Sequence, residues 1–302
     1  MGKENGVAMK KEKFIVFTFI LLIGGFLTKA LGMVIKMVMS RIVGSEGIGL
    51  YMLVLPTFSL FIGLGQFGLP IAFSKLVAEE KKNNRNLFFS LFLVSLVINL
   101  IIIGIILIFG KTLAVNLLHE KRATMPILAM SVVIPLTSCS GIVRSYFFGK
   151  QQMLPHVVSN CFEDIVRLAL IVFVLPSFLN KGLEAAVTIV ILTNIISELS
   201  SILILFFFLP KNLQLHRSDF TFRKDYAKEA MYISIPTTAS RFIGSIGYFL
   251  EPIILTSTLT YCGYPSYYIV NQYGVLSGFV MPLLLLPSFF TSAISQALLP
   301  VL

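Results

Sequence analysis

Apolar runs, mostly of about 20 residues or longer, alternate with short polar stretches along the whole chain. A helix rising about 1.5 Å per residue crosses roughly 30 Å of hydrocarbon in that length. The runs predict about eight membrane-crossing helices, at 14 to 39, 48 to 74, 87 to 109, 125 to 148, 159 to 178, 183 to 209, 230 to 260 and 270 to 302. Strands of a closed barrel would be shorter and would alternate strictly, so the expected fold is all-α, a polytopic membrane helical bundle. Of the Lys and Arg between these runs, fourteen fall on the N-terminal side and five on the other. The excess of basic residues on the cytoplasmic face then makes residues 1–13 a cytoplasmic tail.

Composition agrees. With 56% apolar and 13% charged residues, a 302-residue chain cannot hide its apolar surface behind a polar skin in water. The net charge of +10 sits mostly in loops rather than on a soluble basic face, which argues against nucleic acid. The expected partners are membrane lipids, in the cytoplasmic membrane. Lys10, Lys11 and Lys13 precede the first run as in a signal peptide, but that run is too long, carries Lys29 and lacks a small-residue cleavage site. Cys139, Cys161 and Cys262 show no metal-ligand spacing, and His119, His156 and His216 fall in loops or at helix ends, where solvation is expected. No nucleophile and base, metal cluster or cofactor motif stands at one depth, so an enzyme is not expected. Gly63 to Gly68 matches a dinucleotide fingerprint only formally, with no strand before it.

The longest polar stretch, 211–229, reads as a cytoplasmic linker between a first six-helix bundle, 14–210, and the start of a second, 230–302. A short repeat supports duplication: Thr28-Lys29-Ala30-Leu31-Gly32 opens the first bundle and Ser240-Arg241-Phe242-Ile243-Gly244 the second. Carriers are commonly built from such duplicated bundles. A full second copy would need roughly as many residues as the first, whereas 73 follow the linker, so the expectation is a fragment.

Charges inside the spans carry the functional reading, because each costs roughly 2.5–3.5 kcal/mol at the bilayer centre. Lys29 and Lys36 are seven residues apart and share a helix face. With Arg41 closing that helix, Arg144 in the fourth and Arg241 in the seventh, they are candidate bases of a central cavity suited to phosphate. Alternatively Lys36 snorkels to the interface, and Arg144 snorkels or reaches an acidic pair in the fifth helix. There Glu163 and Arg167, spaced i, i+4, form either a local ion pair or part of the cavity lining. Thr193, Asn194, Ser197, Glu198 and Ser201 read as hydrogen-bonding between helices. Glu251 is a candidate coupling-ion site. Pro56 and Pro70, with glycines between, allow a hinge or close packing.

These residues resemble the sporulation-protein-B-like, polysaccharide-export branch of the multidrug/oligosaccharidyl-lipid/polysaccharide (MOP) exporter superfamily, whose bundles are MATE-like. The opening stretch from Thr28 through Arg41 to Tyr51 carries the likeness. So do Gly68 to Ala72, Arg144 to Gly149 followed by Glu163 and Arg167, Ser234 to Arg241, and Ala297 to Pro300. The resemblance implies a two-lobed carrier of 12 to 14 helices that moves a lipid-linked oligosaccharide or peptidoglycan precursor across the cytoplasmic membrane, in sporulation or cell-wall synthesis. Related flippases often have Arg where this chain has Lys29, which attracts phosphate without forking two oxygens. The implied partners are that polyprenyl-pyrophosphate-linked cargo and a coupling cation, H+ or Na+. The competing reading is a cation-coupled multidrug antiporter. It wants an acidic cavity, and the intramembrane bases outnumber the acids five to four.

Overall fold

The computed structural model describes residues 2–80, 83–209, 221–285, 287, 288 and 291, with side chains from residue 20 and then from 22 onward. The linker's residues 211–220, His216 and the last span's residues 292–302 lie outside the described residues. Among those described the chain is helical, without strands. Its helices are α1 (Gly2–Gln66), α2 (Leu69–Ala78), α3 (Asn84–Thr112), α4 (Thr124–Gly149), α5 (Met153–Leu179), α6 (Leu183–Phe208), α7 (Lys224–Tyr261), α8 (Ser266–Val275) and α9 (Met281–Leu284).

The two first predicted spans are one continuous helical element bent at Gly44, the residue inside α1 with non-helical backbone (φ 72°). A Cβ would strain that left-handed conformation. The two limbs fold back on each other. Gly24 packs on Val157 near the start of α5, and past Gln66, which lies beside Gly141 inside α4, the chain continues through α2 to the end of α4, where Gly149 meets Ser74 and Val77. Residues 150–152 join that end of α4 to that start of α5, so both limb ends lie at one end of the molecule, here called proximal. The bend lies at the other, distal end, where Gly47 meets Leu183 at the start of α6. Each limb of the 45-residue stretch Leu22–Gln66 has about 22 residues, roughly 33 Å, enough for one crossing.

The second predicted span does not run unbroken to residue 74. Phe67 (φ 48°) and Gly68 (φ 61°) turn left-handed, and α2 restarts with Pro70 in its first turn, where a missing N–H costs nothing. The expected breaker acts here, while α1 continues through Pro56. The sharp turn of Gly68 rests against the Ser234 carbonyl of α7, which joins the start of α2 to α7. Nearby, Lys150 donates to Glu80 at 2.7 Å and holds that exposed carboxylate below its ordinary range.

Counting each limb of α1, seven full-length passes are present among the described residues, and α8 with its continuation starts another. All but α5 have a stretch long and apolar enough to cross a membrane by length and composition. α5 is as long, at 27 residues, but carries Glu163, Asp164 and Arg167. Lipid-facing surfaces are bare of polar cover, as Ile108, Phe173 and Phe207 illustrate at 72%, 79% and 86% exposure. The interior holds two apolar clusters. One, around Ile48, Leu53, Ile106, Ile127, Met130 and Ile171, fills the distal and central bundle. The other gathers Leu69, Phe73, Leu87, Phe147 and Leu205 with Ala230 of α7.

Hydroxyls in the spans mostly bond backward to their own helix, so they need no partner from lipid. Thr193 donates to Val190 O at 2.6 Å, Asn194 to Ile191 O at 2.8 Å and Ser197 to Asn194 O at 3.2 Å. These three therefore do not form the expected bonds between helices. The other two of the set do, since Glu198 and Ser201 accept from Arg144 of α4 at 3.0 and 2.9 Å, and Asn99 of α3 adds bonds to Gly65 O of α1 (3.2 Å, donated) and from Ser138 of α4 (3.1 Å, accepted).

Candidate functional site

Two polar regions occupy the membrane interior. The first is a cavity of about 110 Å³ between the second limb of α1 and α7, lined by Ser59, Gly63, Gln66, Thr238, Arg241 and Ser245 among others. That volume is room for a few waters or one phosphate-sized group. Its geometry follows from the glycine and small-residue face of α1 around Gly63, which leaves space opposite α7. Arg241 is exposed and forms no ion pair among the described residues. A guanidinium in that position has its five donors free for phosphate or carboxylate oxygens.

The other expected bases do not line this cavity. Lys29 is exposed and Lys36 half-buried on the first limb of α1, close enough for their charges to interact. Neither is ion-paired among the described residues. Arg41 is exposed just before the Gly44 bend. The hairpin accounts for the separation. The cavity faces residues 59–66 of the second limb, while all three bases sit on the first.

Arg144, expected either among the cavity bases, snorkelling, or reaching the acidic pair of α5, does the last, between α4, α5 and α6. Its Nη2 donates to Glu163 of α5, to Glu198 of α6 at 3.0 Å and to Ser201 of α6 at 2.9 Å. Arg167 donates to Glu163 one turn away and, at 3.4 Å, to Asp164. Glu163 thus bridges two arginines and is itself buried. Two guanidinium charges meet three carboxylates in a site spanning α4, α5 and α6. Arg144 Nε, Arg167 Nε, His156 Nδ1 and Asn160 Oδ1 are also buried there without a partner. His156 is not solvated as its position near a helix start suggested; its ring packs at a tilt against Phe148, with centroids 4.5 Å apart. The cluster is an ionic lock between three helices, since removing one partner strands a buried charge.

Glu251 on α7 is exposed and stands beside Tyr248 and Tyr273. His119 shares a 3.2 Å hydrogen bond with Ser257. One polar group had no signal in the sequence. At the distal end Arg122 binds Glu120 through two nitrogens, both at 2.9 Å, and Glu46 at 2.7 Å. These residues lie in loops and helix ends far apart in sequence. Among the described residues no group of three or more His, Cys, Asp or Glu is placed to hold a metal ion, and the three cysteines are free thiols.

The chain is 38% identical to stage V sporulation protein B of Bacillus subtilis (strain 168), over 97% of this chain and 58% of that protein. It is 26% identical to the lipid II flippase MurJ of the same organism, over 66% of this chain and 40% of the relative. Among solved structures, the MATE multidrug transporter DinF-BH in complex with R6G matches with a TM-score of 0.73 at 18% identity, over 96% of this chain and 64% of that one. The chain therefore spans less than two thirds of the length of these relatives, and the last likeness establishes the fold. The model of the family described as polysaccharide biosynthesis protein matches residues 17–302. With its MATE-type arrangement of apolar helices, this multi-pass membrane protein belongs to the polysaccharide biosynthesis protein family.

Proposed function

We propose that the chain is part of a flippase that carries a lipid-linked oligosaccharide or peptidoglycan precursor, borne on polyprenyl pyrophosphate, across the cytoplasmic membrane by alternating access. The observation that carries this reading is Arg241, without an acidic partner among the described residues and opening onto the polar cavity beside α1. A pyrophosphate headgroup supplies the counter-charge that this arginine lacks. Lys29, Lys36 and Arg41 add positive potential along the first limb of α1. The likeness to the lipid II flippase MurJ supports the same cargo class, and the likeness to a sporulation protein supports a place in sporulation.

Energetics favour outward movement. A headgroup of charge −2 leaving a negative interior releases at most roughly 4–5 kcal/mol per 100 mV, less whatever charge the bases neutralise. We assign Glu251, beside its two tyrosines, to a coupling cation, H+ or Na+. In full-length protein reconstituted in vesicles, Arg241→Ala is expected to abolish precursor flipping while membrane insertion is retained. Lys29→Ala is expected to lower it. Normal flipping by both variants would overturn the reading, and efflux of cationic drugs by the parent protein would favour a multidrug antiporter instead.

A further inference from the structure

The distal polar group joins parts of the chain that the proposed cycle must separate. Glu46 follows the bend of α1, while Glu120 and Arg122 lie in the α3–α4 connection, so these three belong to the first bundle. Across from them Ser266, the first residue of α8, donates to Glu120 Oε2. Ser257, near the end of α7, meets His119. These bonds cross from the first bundle to the second lobe at the end away from the N-terminus. We propose that Glu46, Arg122, Glu120 and Ser266 form a clasp that holds the distal seam between α1 and α8 shut and must open for α7 and α8 to part from the first bundle.

Three observations support a contact built to open. Beneath the clasp the two backbones touch through small residues. A Cβ on Gly49 would lie 2.0 Å from Val270 O, and one on Gly274 would lie 2.6 Å from the Gly49 Cα. Such a seam packs closely without interlocking side chains, and dispersion alone does not fix its register. Second, a π-helical turn adjoins each side of the seam, Leu113–Leu117 before the α3–α4 connection and Leu276–Val280 just past Gly274 of α8. Such turns are locally irregular helix, frequent where helices function. Third, His119 holds a left-handed backbone (φ 51°), an uncommon state for a non-glycine residue that surrounding contacts must impose.

The charges divide the labour. Glu120 is 5% exposed and is gripped by the arginine fork, so this pair is shielded from solvent. Glu46 and Arg122 are 38% and 33% exposed, and their bond is open to salt. The Glu120–Arg122 pair thus stays preformed within the first bundle, and the Ser266 hydroxyl is the part that makes and breaks.

The test uses full-length protein in membranes, with its other thiols removed and His119→Cys and Ser257→Cys introduced together. This pair reports closure of the seam by disulfide formation under mild oxidant, whatever the cargo. The expected parental result is rapid crosslinking. Ser266→Ala, which removes the bond across the seam and leaves the Arg122–Glu120 pair intact, should slow crosslinking about ten-fold or more, in line with one charge-assisted hydrogen bond. Glu120→Gln should slow it further, and Glu46→Gln by less than about three-fold, as for an exposed ion pair. A Ser266→Ala protein that inserts normally and crosslinks at the parental rate would overturn the clasp. If Glu120→Gln does not insert, the Ser266→Ala result decides.

Discussion

Glu163 is the residue on which the buried charges between α4, α5 and α6 converge, since it accepts from both Arg144 and Arg167. Breaking a buried ion pair by removing one partner costs about 3–5 kcal/mol. Glu163→Gln is therefore expected to lower the thermal unfolding midpoint sharply, measured in detergent. In a double-mutant cycle with Arg144→Met, the losses should be strongly non-additive, because Glu163 and Arg144 belong to one network. Additive losses would mean that the two do not act together. This lock was legible in part: the i, i+4 spacing of Glu163 and Arg167 marks a helical pair, and Arg144 reaching that pair was one of the readings open to it. Nothing local says that Arg144 and Glu198, 54 residues apart, face each other across three helices.

At the same scale, Glu120 links pH to the distal seam. Burial alone would raise its carboxyl, but bonds from the Arg122 side chain and backbone and from Ser266 outweigh it and hold it below the ordinary range. A carboxylate depressed in the folded state contributes stability that is present above its unfolded value and lost as pH falls through the lower folded value. Crosslinking between His119→Cys and Ser257→Cys, triggered after incubation at each pH, should thus be unchanged from neutrality down to the ordinary glutamate range. It should slow only below that. Loss of crosslinking near pH 6 would place the sensitivity elsewhere.

Among the elements, α1 departs most from its sequence pattern. Two apolar runs with a polar separator predict two helices and a loop, and the passes themselves are correct. The loop is instead a bend at Gly44, because a single left-handed glycine reverses direction without interrupting the flanking turns. Composition could not separate those outcomes, since both bury the same residues. The break at Phe67 and Gly68 was closer to legible, as Pro70 and three glycines mark it. Gly68→Ala would add a Cβ at φ 61°, 2.9 Å from the Ser234 carbonyl. It is expected to destabilise the protein by about 1–3 kcal/mol, read as a lower unfolding midpoint, whereas Gly63→Ala, with open space around it, should be tolerated. Equal midpoints for the two would contradict the turn as a fixed contact between α2 and α7.

For the whole molecule, fold class was legible because apolar run length is a one-dimensional signal that the bilayer imposes. The cavity was legible only in part. Arg241 was marked as a charge in an apolar run, and it does line the space beside α1. Lys29 and Lys36 carry the same mark, yet a hairpin limb separates them from that space, and limb assignment depends on the Gly44 bend. The distal clasp had no mark at all, because Glu46, Arg122 and Ser266 look like ordinary loop and helix-end charges and hydroxyls until folding brings them together.

The central claim is that Arg241 recognises an anionic, pyrophosphate-bearing headgroup. It is tested most directly by competition, measuring precursor flipping by the full-length protein in vesicles containing polyprenyl pyrophosphate or the uncharged polyprenol. The account predicts that polyprenyl pyrophosphate inhibits the parent while polyprenol does not, and that Arg241→Gln loses this discrimination. Equal inhibition by the two lipids, or a parental response in Arg241→Gln, would contradict it.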